Sequence, residues 1–311
     1  MIYSIIILNT ATRNGLNMKK LKVKALAKIN WALDVIEKRR DGYHNVEMVM
    51  QSIDLHDILL IEEKAENGIE VICNRKDIPL GSENIAYGAA RLLKEAYGID
   101  TGVRILIYKN IPVAAGLAGG SADAAGVLVG LNRMWDLGIT SRGLMSMAAR
   151  LGSDIPFCIL GGTALARGIG DELVSLSPAD GIWLVLVTPD FYVSTGHIYR
   201  SLDLSRITVR PSIQDMVMNL EKKNLNGIAG CMQNVLEQVT LNIYPQIAHI
   251  KADIMNQGAL GCCMSGSGPT VYGIFPDEKT ARKGHEVLKQ RYSQCYVVQT
   301  KAGGIEIVEE V

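Results

Sequence analysis

A stretch rich in glycine and alanine, PVAAGLAGGSADAAG at residues 112–126, constrains this chain more than any other segment. The preceding segment, GVRILIYKNIP, alternates apolar and polar residues and predicts a strand that ends at Pro112. Apolar residues at helical spacing follow and predict a helix that begins within Gly119–Ser121 and ends near Leu137. The sequence therefore predicts a strand, a glycine-rich loop and a helix in immediate succession.

Such a loop is suited to binding an anion. Small residues let the backbone approach a ligand closely, and the free N–H groups at a helix start lie at the positive end of the helix dipole. Ser121 adds a hydroxyl group. The loop lacks both the Gly-Lys-Ser/Thr ending of the common NTPase loop and the Gly-x-Gly-x-x-Gly dinucleotide pattern. A polyphosphate is the expected ligand, and a tight turn built from small residues for packing is the alternative.

The overall composition favours a small-molecule ligand. The chain has 311 residues, with 48% apolar and 21% charged residues, and 32 basic residues balance 32 acidic ones. This profile is typical of a globular protein and gives no electrostatic reason to expect a nucleic acid or a membrane as partner. None of the six cysteines forms a Cys-x-x-Cys pair, which favours reduced thiols and a cytoplasmic protein. We expect a monomer or a weak homodimer.

The periodicity predicts an α+β protein without regular strand–helix alternation. Strands are expected at Val23–Glu37, Glu47–Ile53 and Asp57–Glu62. GSENIAYGAARLLKEAYG predicts a helix with Ser82 as N-cap and Gly98 as C-cap, and SDIPFCILGGTALARGIGD predicts a strand pair around Gly161-Gly162. Further helices are expected within Ile213–Lys223, Gly227–Cys231 and beyond, Ile247–Gln257 and Glu278–Tyr292.

Four further features carry candidate chemistry, each with a simpler alternative. GCCMSGSGPTVYGIF is a second glycine-rich turn with a serine, or only a hairpin. Lys28 lies in an apolar strand, where it serves a site or extends from an edge to water. Tyr43-His44 suits a flat heterocycle, or belongs to a turn. Asp154, among apolar neighbours, could deprotonate a hydroxyl, or end a helix or turn.

The order and spacing of these segments resemble the GHMP kinase superfamily. PVAAGLAGGSADAA is similar to its phosphate loop, Pro-x-x-x-Gly-Leu-x-Ser-Ser-Ala, and MSGSGPTVYGIF to its C-terminal glycine motif. KALAKINWALDVIEKRRDGYHNVEMVMQSIDLHD and LGSDIPFCILGGTALARGIGDEL resemble the branch that phosphorylates 4-diphosphocytidyl-2-C-methyl-D-erythritol. The resemblance runs from about Met18 to the end of the chain. It implies a two-domain fold, with an N-terminal ribosomal S5 domain 2-like half at 18–175 and a C-terminal ferredoxin-like half at 176–311.

The resemblance implies ATP with Mg²⁺, and transfer of the γ-phosphoryl group to the tertiary 2-hydroxyl of the cytidine diphosphate substrate, in the non-mevalonate isoprenoid pathway. By matching position, Asp154 would be the general base and Lys28 would stabilise charge near it and near the moving phosphoryl group. The positions implied for the nucleotide are Asn84, Lys109, Pro112, Gly116, Leu117, Ala118, Gly119, Gly120 and Ser121. Those implied for the second substrate are Asn30, Tyr43, His44, Thr195, Tyr199, Gly266 and Ser267.

Two departures from the superfamily pattern matter. Gly120-Ser121 replaces its paired serines, so one hydroxyl must serve, and no carboxylate is an evident magnesium ligand, with Asp123 the nearest candidate. Two alternatives stay open: another kinase of the superfamily, for mevalonate or homoserine, or a non-catalytic nucleotide-binding module of the same fold. Residues 1–17 are expected to be an added arm, an extra edge strand or the product of a misassigned start.

Overall fold

The computed structural model describes residues 18–310, so the expectation for residues 1–17 lies outside the described residues. Strands and helices mix irregularly along the chain, as expected for an α+β protein. The strands are β1 (Lys20–Lys38), β2 (His44–Lys64), β3 (Ile69–Cys73), β4 (Gly102–Tyr108), β5 (Thr163–Arg167), β6 (Glu172–Ser175), β7 (Trp183–Thr188), β8 (Gln233–Asn234), β9 (Gly261–Met264), β10 (Val271–Phe275), β11 (Gln294–Lys301) and β12 (Ile305–Glu310). The helices are α1 (Ile85–Tyr97), α2 (Gly119–Met134), α3 (Ser141–Ala148), α4 (Ile155–Leu160), α5 (Thr195–Ser201), α6 (Ile213–Glu221), α7 (Leu225–Cys231), α8 (Glu237–Ile243), α9 (Gln246–Asn256) and α10 (Glu278–Leu288).

One sheet runs through the molecule. Its main path has the order β12-β1-β2-β11-β7-β10-β9, and β11 pairs antiparallel with both β2 and β7. The last strand, β12, returns to pair antiparallel with the first, β1. The C-terminal segment thus completes the sheet of the N-terminal half, and the domain division at residues 175 and 176 stays a prediction.

Helix α2 lies close against the sheet because glycines form its contact face. A Cβ atom on Gly126 would lie 2.5 Å from Leu59 Cδ1, and one on Gly130 would lie 2.6 Å from Ile61 Cδ1. Leu59 and Ile61 are fully buried in β2. This close packing fixes the axis of α2, and therefore its N-terminus, where the glycine-rich loop ends.

Three local predictions are wrong, each for an identifiable reason. The N-cap of α1 is Asn84, not Ser82, because the Asn84 side chain accepts a hydrogen bond from the Ala86 N–H. The expected strand before Gly161-Gly162 is the helix α4, since a short continuous apolar run is ambiguous and Pro156 suits a first helical turn. The two runs expected at 47–53 and 57–62 belong to the one long strand β2.

The remaining predicted elements are close to the observed ones. β1 contains the predicted strand, and α2 begins at Gly119 as expected, ending at Met134. Gly98 is the left-handed C-cap of α1. None of the helices within residues 18–310 combines the length and the apolar character needed to span a bilayer. All six cysteines are free.

Candidate active site

A cleft of about 540 Å³ brings together most of the residues singled out in the sequence. At its centre, Lys28 Nζ lies 3.8 Å from Asp154 Oδ2. The Lys28 side chain is 5% exposed and the Asp154 side chain 31% exposed, so the ammonium is buried and the carboxylate open to a ligand. The predicted residues on the cleft wall are Lys28, Asn30, Gly116, Ala118, Gly119, Gly120, Ser121, Asp154, Thr195, Tyr199, Gly266 and Ser267.

Asp154 is available for chemistry because the fold does not use its carboxylate. It occupies the N-cap position of α4, yet its side chain makes no capping hydrogen bond. An aspartate at that position usually accepts a hydrogen bond from the first helical turn. Here the carboxylate instead faces Lys28 across the cleft, which leaves an oxygen free to accept a proton from a bound hydroxyl group.

A register break in β1 ties Lys28 to the glycine-rich loop. The pairing of β1 with β2 shifts between Leu26 and Lys28, an irregularity that is common beside functional sites. The Lys28 N–H donates to the Leu117 carbonyl oxygen at 3.1 Å. Leu117 is itself buried, so its part in the site is this backbone contact.

The two glycine turns touch each other. Gly116 has φ of 76°, and a Cβ atom there would lie 2.1 Å from the Ser265 carbonyl oxygen. The Ser265 hydroxyl donates to the Gly116 carbonyl oxygen at 2.9 Å. Only glycine permits this approach, so the loop before α2 and the turn at 265–268 form one continuous wall.

Asn30 links Lys28 to the second glycine turn. Its Oδ1 accepts hydrogen bonds from Lys28 Nζ at 2.9 Å and from the Gly266 N–H at 3.0 Å. Its Nδ2 donates to Met48 Sδ at 3.2 Å. Asn30 is fully buried, so these partners fix its amide orientation and hold Lys28 next to the turn.

The opposite side of the cleft combines polar and aromatic groups. The hydroxyls of Thr195 and Ser267 are 2.8 Å apart. The Tyr199 ring lies 5.2 Å from the His44 ring, centre to centre, and burial raises the pKa of the Tyr199 hydroxyl. Burial, and then the charge of Lys38, lower the pKa of His44, so its ring is neutral at pH 7. His44, which is buried, and Tyr43, which is 62% exposed, both lie outside the cleft wall.

A second cleft, of about 290 Å³, continues from the first. The two share Ile85, Ala114, Gly119 and Gly120, so a ligand can extend from one into the other past the start of α2. Asn84, Lys109 and Pro112, which the resemblance implied for a nucleotide, lie together on this second wall. The Asn84 side chain caps α1 and also donates to the Pro79 carbonyl oxygen, so the fold already uses its polar atoms.

Lys109 belongs to a buried charge cluster that sequence reasoning missed. Its ammonium donates to Asp57 Oδ2 and, at 2.7 Å, to Asp123 Oδ2. Burial lowers the pKa of Lys109, but the charges of Asp123 and Asp57 outweigh it and the net change is upward. Burial raises the pKa of Asp123 well above its ordinary value. The sequence signal was Asp57, one of two acidic residues in the largely apolar segment SIDLHDILL, but nothing local indicates its partners.

The donor set fits a polyphosphate better than a bound metal ion. The first turn of α2, the close-packed glycine turns and the ammonium of Lys28 offer N–H donors and positive charge on one wall. Within residues 18–310, no group of three or more His, Cys, Asp or Glu side chains is placed to hold a metal ion. Asp123 lines the second cleft with Oδ2 bonded to the Lys109 ammonium, and its role as the nearest magnesium candidate stays a prediction.

Comparison with known proteins identifies the family. The sequence model of the GHMP kinase N-terminal domain matches residues 84–162, and that of the C-terminal domain matches residues 216–294. A protein of Alkaliphilus oremlandii named 4-diphosphocytidyl-2-C-methyl-D-erythritol kinase is 50% identical over 291 residues, which cover 93% of this chain and all of the relative. The chain belongs to the 4-diphosphocytidyl-2-C-methyl-D-erythritol kinases.

A second relative and a solved structure support the same family assignment. The 4-diphosphocytidyl-2-C-methyl-D-erythritol kinase of Clostridium botulinum (strain Eklund 17B / Type B) is 48% identical over 280 residues, covering 90% of this chain and all of the relative. A crystal structure of 4-(cytidine 5'-diphospho)-2C-methyl-D-erythritol kinase superposes with a TM-score of 0.79 at 31% identity, covering 91% of this chain and all of that one. These matches confirm the GHMP kinase fold and an enzyme of this kinase family.

Proposed function

We propose that this protein transfers the γ-phosphoryl group of ATP to the 2-hydroxyl of 4-diphosphocytidyl-2-C-methyl-D-erythritol, giving the 2-phosphate and ADP. One observation carries the proposal: the Lys28–Asp154 pair shares a cleft with the first turn of α2 and the second glycine turn. Both the phosphate donor and the alcohol acceptor have complementary groups there. The resemblance to this kinase branch implies a step in isoprenoid precursor synthesis.

The nucleotide would enter through the second cleft, with its phosphates against the glycine-rich loop. Gly119, Gly120 and Ser121 lie where the two clefts meet or just beyond, at the positive end of α2. Phosphoryl transfer depends mainly on positioning and charge neutralisation, which backbone N–H groups and Lys28 supply. Mg²⁺ would accompany ATP, held by phosphate oxygens and water.

The acceptor would lie on the side of Asn30, Thr195 and Tyr199. Asp154 takes the proton of the tertiary hydroxyl as that oxygen attacks phosphorus and the bond to the ADP oxygen breaks. The nearby ammonium of Lys28 stabilises the charge that develops on the transferred group. The neutral ring of His44 offers one donor and one acceptor to the cytosine edge, and Tyr199 an aromatic face. Tyr43, although exposed, is proposed to stack on the cytosine once it binds.

Replacing Asp154 by asparagine tests the base assignment. Asp154→Asn keeps the size and removes the base, so kcat should fall by about 100-fold or more while the acceptor still binds. ADP release and acceptor binding by calorimetry measure the two effects. Asp277→Asn is the matched control, because Asp277 is also a helix N-cap and asparagine keeps its capping bond. Near-normal kcat in Asp154→Asn would remove Asp154 as the base.

A further inference from the structure

The buried charge cluster of Asp57, Lys109 and Asp123 spans the glycine-rich loop. The exposed fractions of the three side chains are 0%, 4% and 6%. Asp57 comes from the middle of β2, Lys109 follows β4 directly before the loop, and Asp123 lies in the second turn of α2 directly after it. The cluster therefore connects the entrance and the exit of the loop to a central strand.

Asp57 holds the entrance of the loop with both carboxylate oxygens. Oδ1 accepts hydrogen bonds from the N–H groups of Asn110 at 2.6 Å and Ile111 at 2.9 Å. Oδ2 accepts from the Lys109 ammonium. One buried carboxylate thus fixes three consecutive residues at the point where the chain leaves β4.

Lys109 carries the connection to the exit of the loop. Its ammonium also donates to Asp123 Oδ2 at 2.7 Å, and it lies 3.1 Å from where a Cβ atom on Gly119 would be. It is therefore next to the first residue of α2, on which the phosphate contacts of the loop depend. Fixing both ends of a flexible segment before a ligand arrives reduces the entropy lost on binding.

We propose that Asp57 and Asp123 are positioning residues for ATP: Asp57, through Lys109 and the backbone at 110–111, and Asp123, through Lys109, hold the glycine-rich loop in its binding conformation. This inference rests on the proposed function, because it assumes that the loop binds the nucleotide phosphates. Neither carboxylate contacts the acceptor side of the cleft. Their loss should therefore weaken the binding of nucleotide and leave the binding of acceptor nearly unchanged.

Asparagine can replace the hydrogen bonds of Asp123 but not all of those of Asp57. All the oxygen positions of Asp57 face donors, so the NH2 group of an asparagine must point at the Lys109 ammonium or at the two backbone N–H groups. Asp123 bonds through Oδ2 only, and its buried Oδ1 has no hydrogen-bond partner in the described residues. Asparagine at 123 can keep the bond to Lys109 through its carbonyl oxygen.

The experiment measures the Kd of a non-hydrolysable ATP analogue, and KM for ATP and for the acceptor, in the full-length protein. Asp57→Asn should weaken binding of the analogue about tenfold or more. The charge-assisted bond to the Lys109 ammonium is lost, and the new NH2 group faces another N–H donor. Asp123→Ala should weaken it severalfold, and Asp123→Asn less than Asp123→Ala. Asp54→Asn is the matched control, since Asp54 lies in the same strand and accepts one backbone N–H, which an asparagine carbonyl can replace.

Thermal unfolding establishes that each variant is folded at the assay temperature. Wild-type affinity for the analogue in folded Asp57→Asn, or an equal loss of acceptor binding, would overturn the inference. If Asp57→Asn does not fold, Asp123→Ala decides alone, because wild-type affinity in that variant would equally overturn it. Wild-type protein that does not bind the analogue at all would instead contradict the proposed function.

Discussion

At the scale of single residues, the site depends on side chains that the fold leaves unused or holds from several directions. Asp154 is at a helix N-cap without capping, so its carboxylate is free. Asn30 is the opposite case, since three partners fix its amide and it in turn holds Lys28. Proton transfer requires a base whose carboxylate is free, such as Asp154, and neighbouring groups that are held in place, such as Asn30 and Lys28.

The protonation of His44 leads to a prediction about pH. Its pKa lies below its ordinary value of 6.5, through burial and the charge of Lys38, so the ring is neutral at pH 7. KM for the acceptor should stay constant above pH 7 and rise, about threefold or more, as the pH falls through the lowered pKa of His44. His44→Gln, which keeps one donor and one acceptor, should show no such rise in steady-state kinetics.

The lowered pKa of His44 also makes the free energy of unfolding depend on pH. The unfolded chain binds the His44 proton more tightly than the folded one, so this contribution to stability is present above pH 6.5 and is lost as the pH falls through the folded pKa.

A pH-independent acceptor KM in the wild type would contradict the assignment of His44 to the cytosine edge.

At the scale of elements, the helix that begins after Asp154 is supported from the far end of the chain. A Cβ atom on Gly304, between β11 and β12, would lie 2.2 Å from the Cys158 carbonyl oxygen in α4. A Cβ atom on Gly161, which ends α4, would lie 2.1 Å from the Gly304 N. Backbone therefore packs directly on backbone here, and the position of α4 depends on the C-terminal turn.

Gly304→Ala should disturb this contact, while its neighbour Gly303 provides the control. The added methyl group meets backbone that cannot rotate away, and overpacking of this kind costs about 1–3 kcal/mol. For a chain of this length we expect a fall in Tm of roughly 2–5 °C, with a lower kcat because α4 moves. Gly303→Ala has no atom within 4 Å of the new Cβ and should match the wild type. Equal Tm values for the two variants, by circular dichroism, would contradict this support of α4.

At the scale of the whole molecule, the sequence predicted the parts of the site that are encoded in local motifs. The strand–loop–helix around residues 112–126 and the candidate pair Lys28 and Asp154 followed from patterns in short segments. Their meeting in one cleft depends on the register break in β1 and the packing of α4, which no local pattern carries. Residue types alone predicted a strand where the structure has the helix α4.

The buried charge cluster also could not be predicted from local patterns, because its residues lie far apart in the sequence. Asp57 and Lys109 are 52 residues apart, and pairing of β2 with β4 brings them together. In the sequence, the acid and the lysine lie in separate segments, and each is compatible with a solvated face. Long-range strand pairing decides such contacts, and it is the property that periodicity predicts least well.

The central claim is that ATP meets a cytidine diphosphate alcohol in the Lys28–Asp154 cleft. The most direct test is ADP release by the wild-type protein with MgATP and, separately, 4-diphosphocytidyl-2-C-methyl-D-erythritol, mevalonate, homoserine or no acceptor. We expect turnover with the cytidyl substrate, at a kcat/KM at least about a hundredfold above that with the others, because only that substrate engages His44 and Tyr199. Comparable turnover of mevalonate or homoserine, or tight nucleotide binding without turnover of any acceptor, would contradict the account.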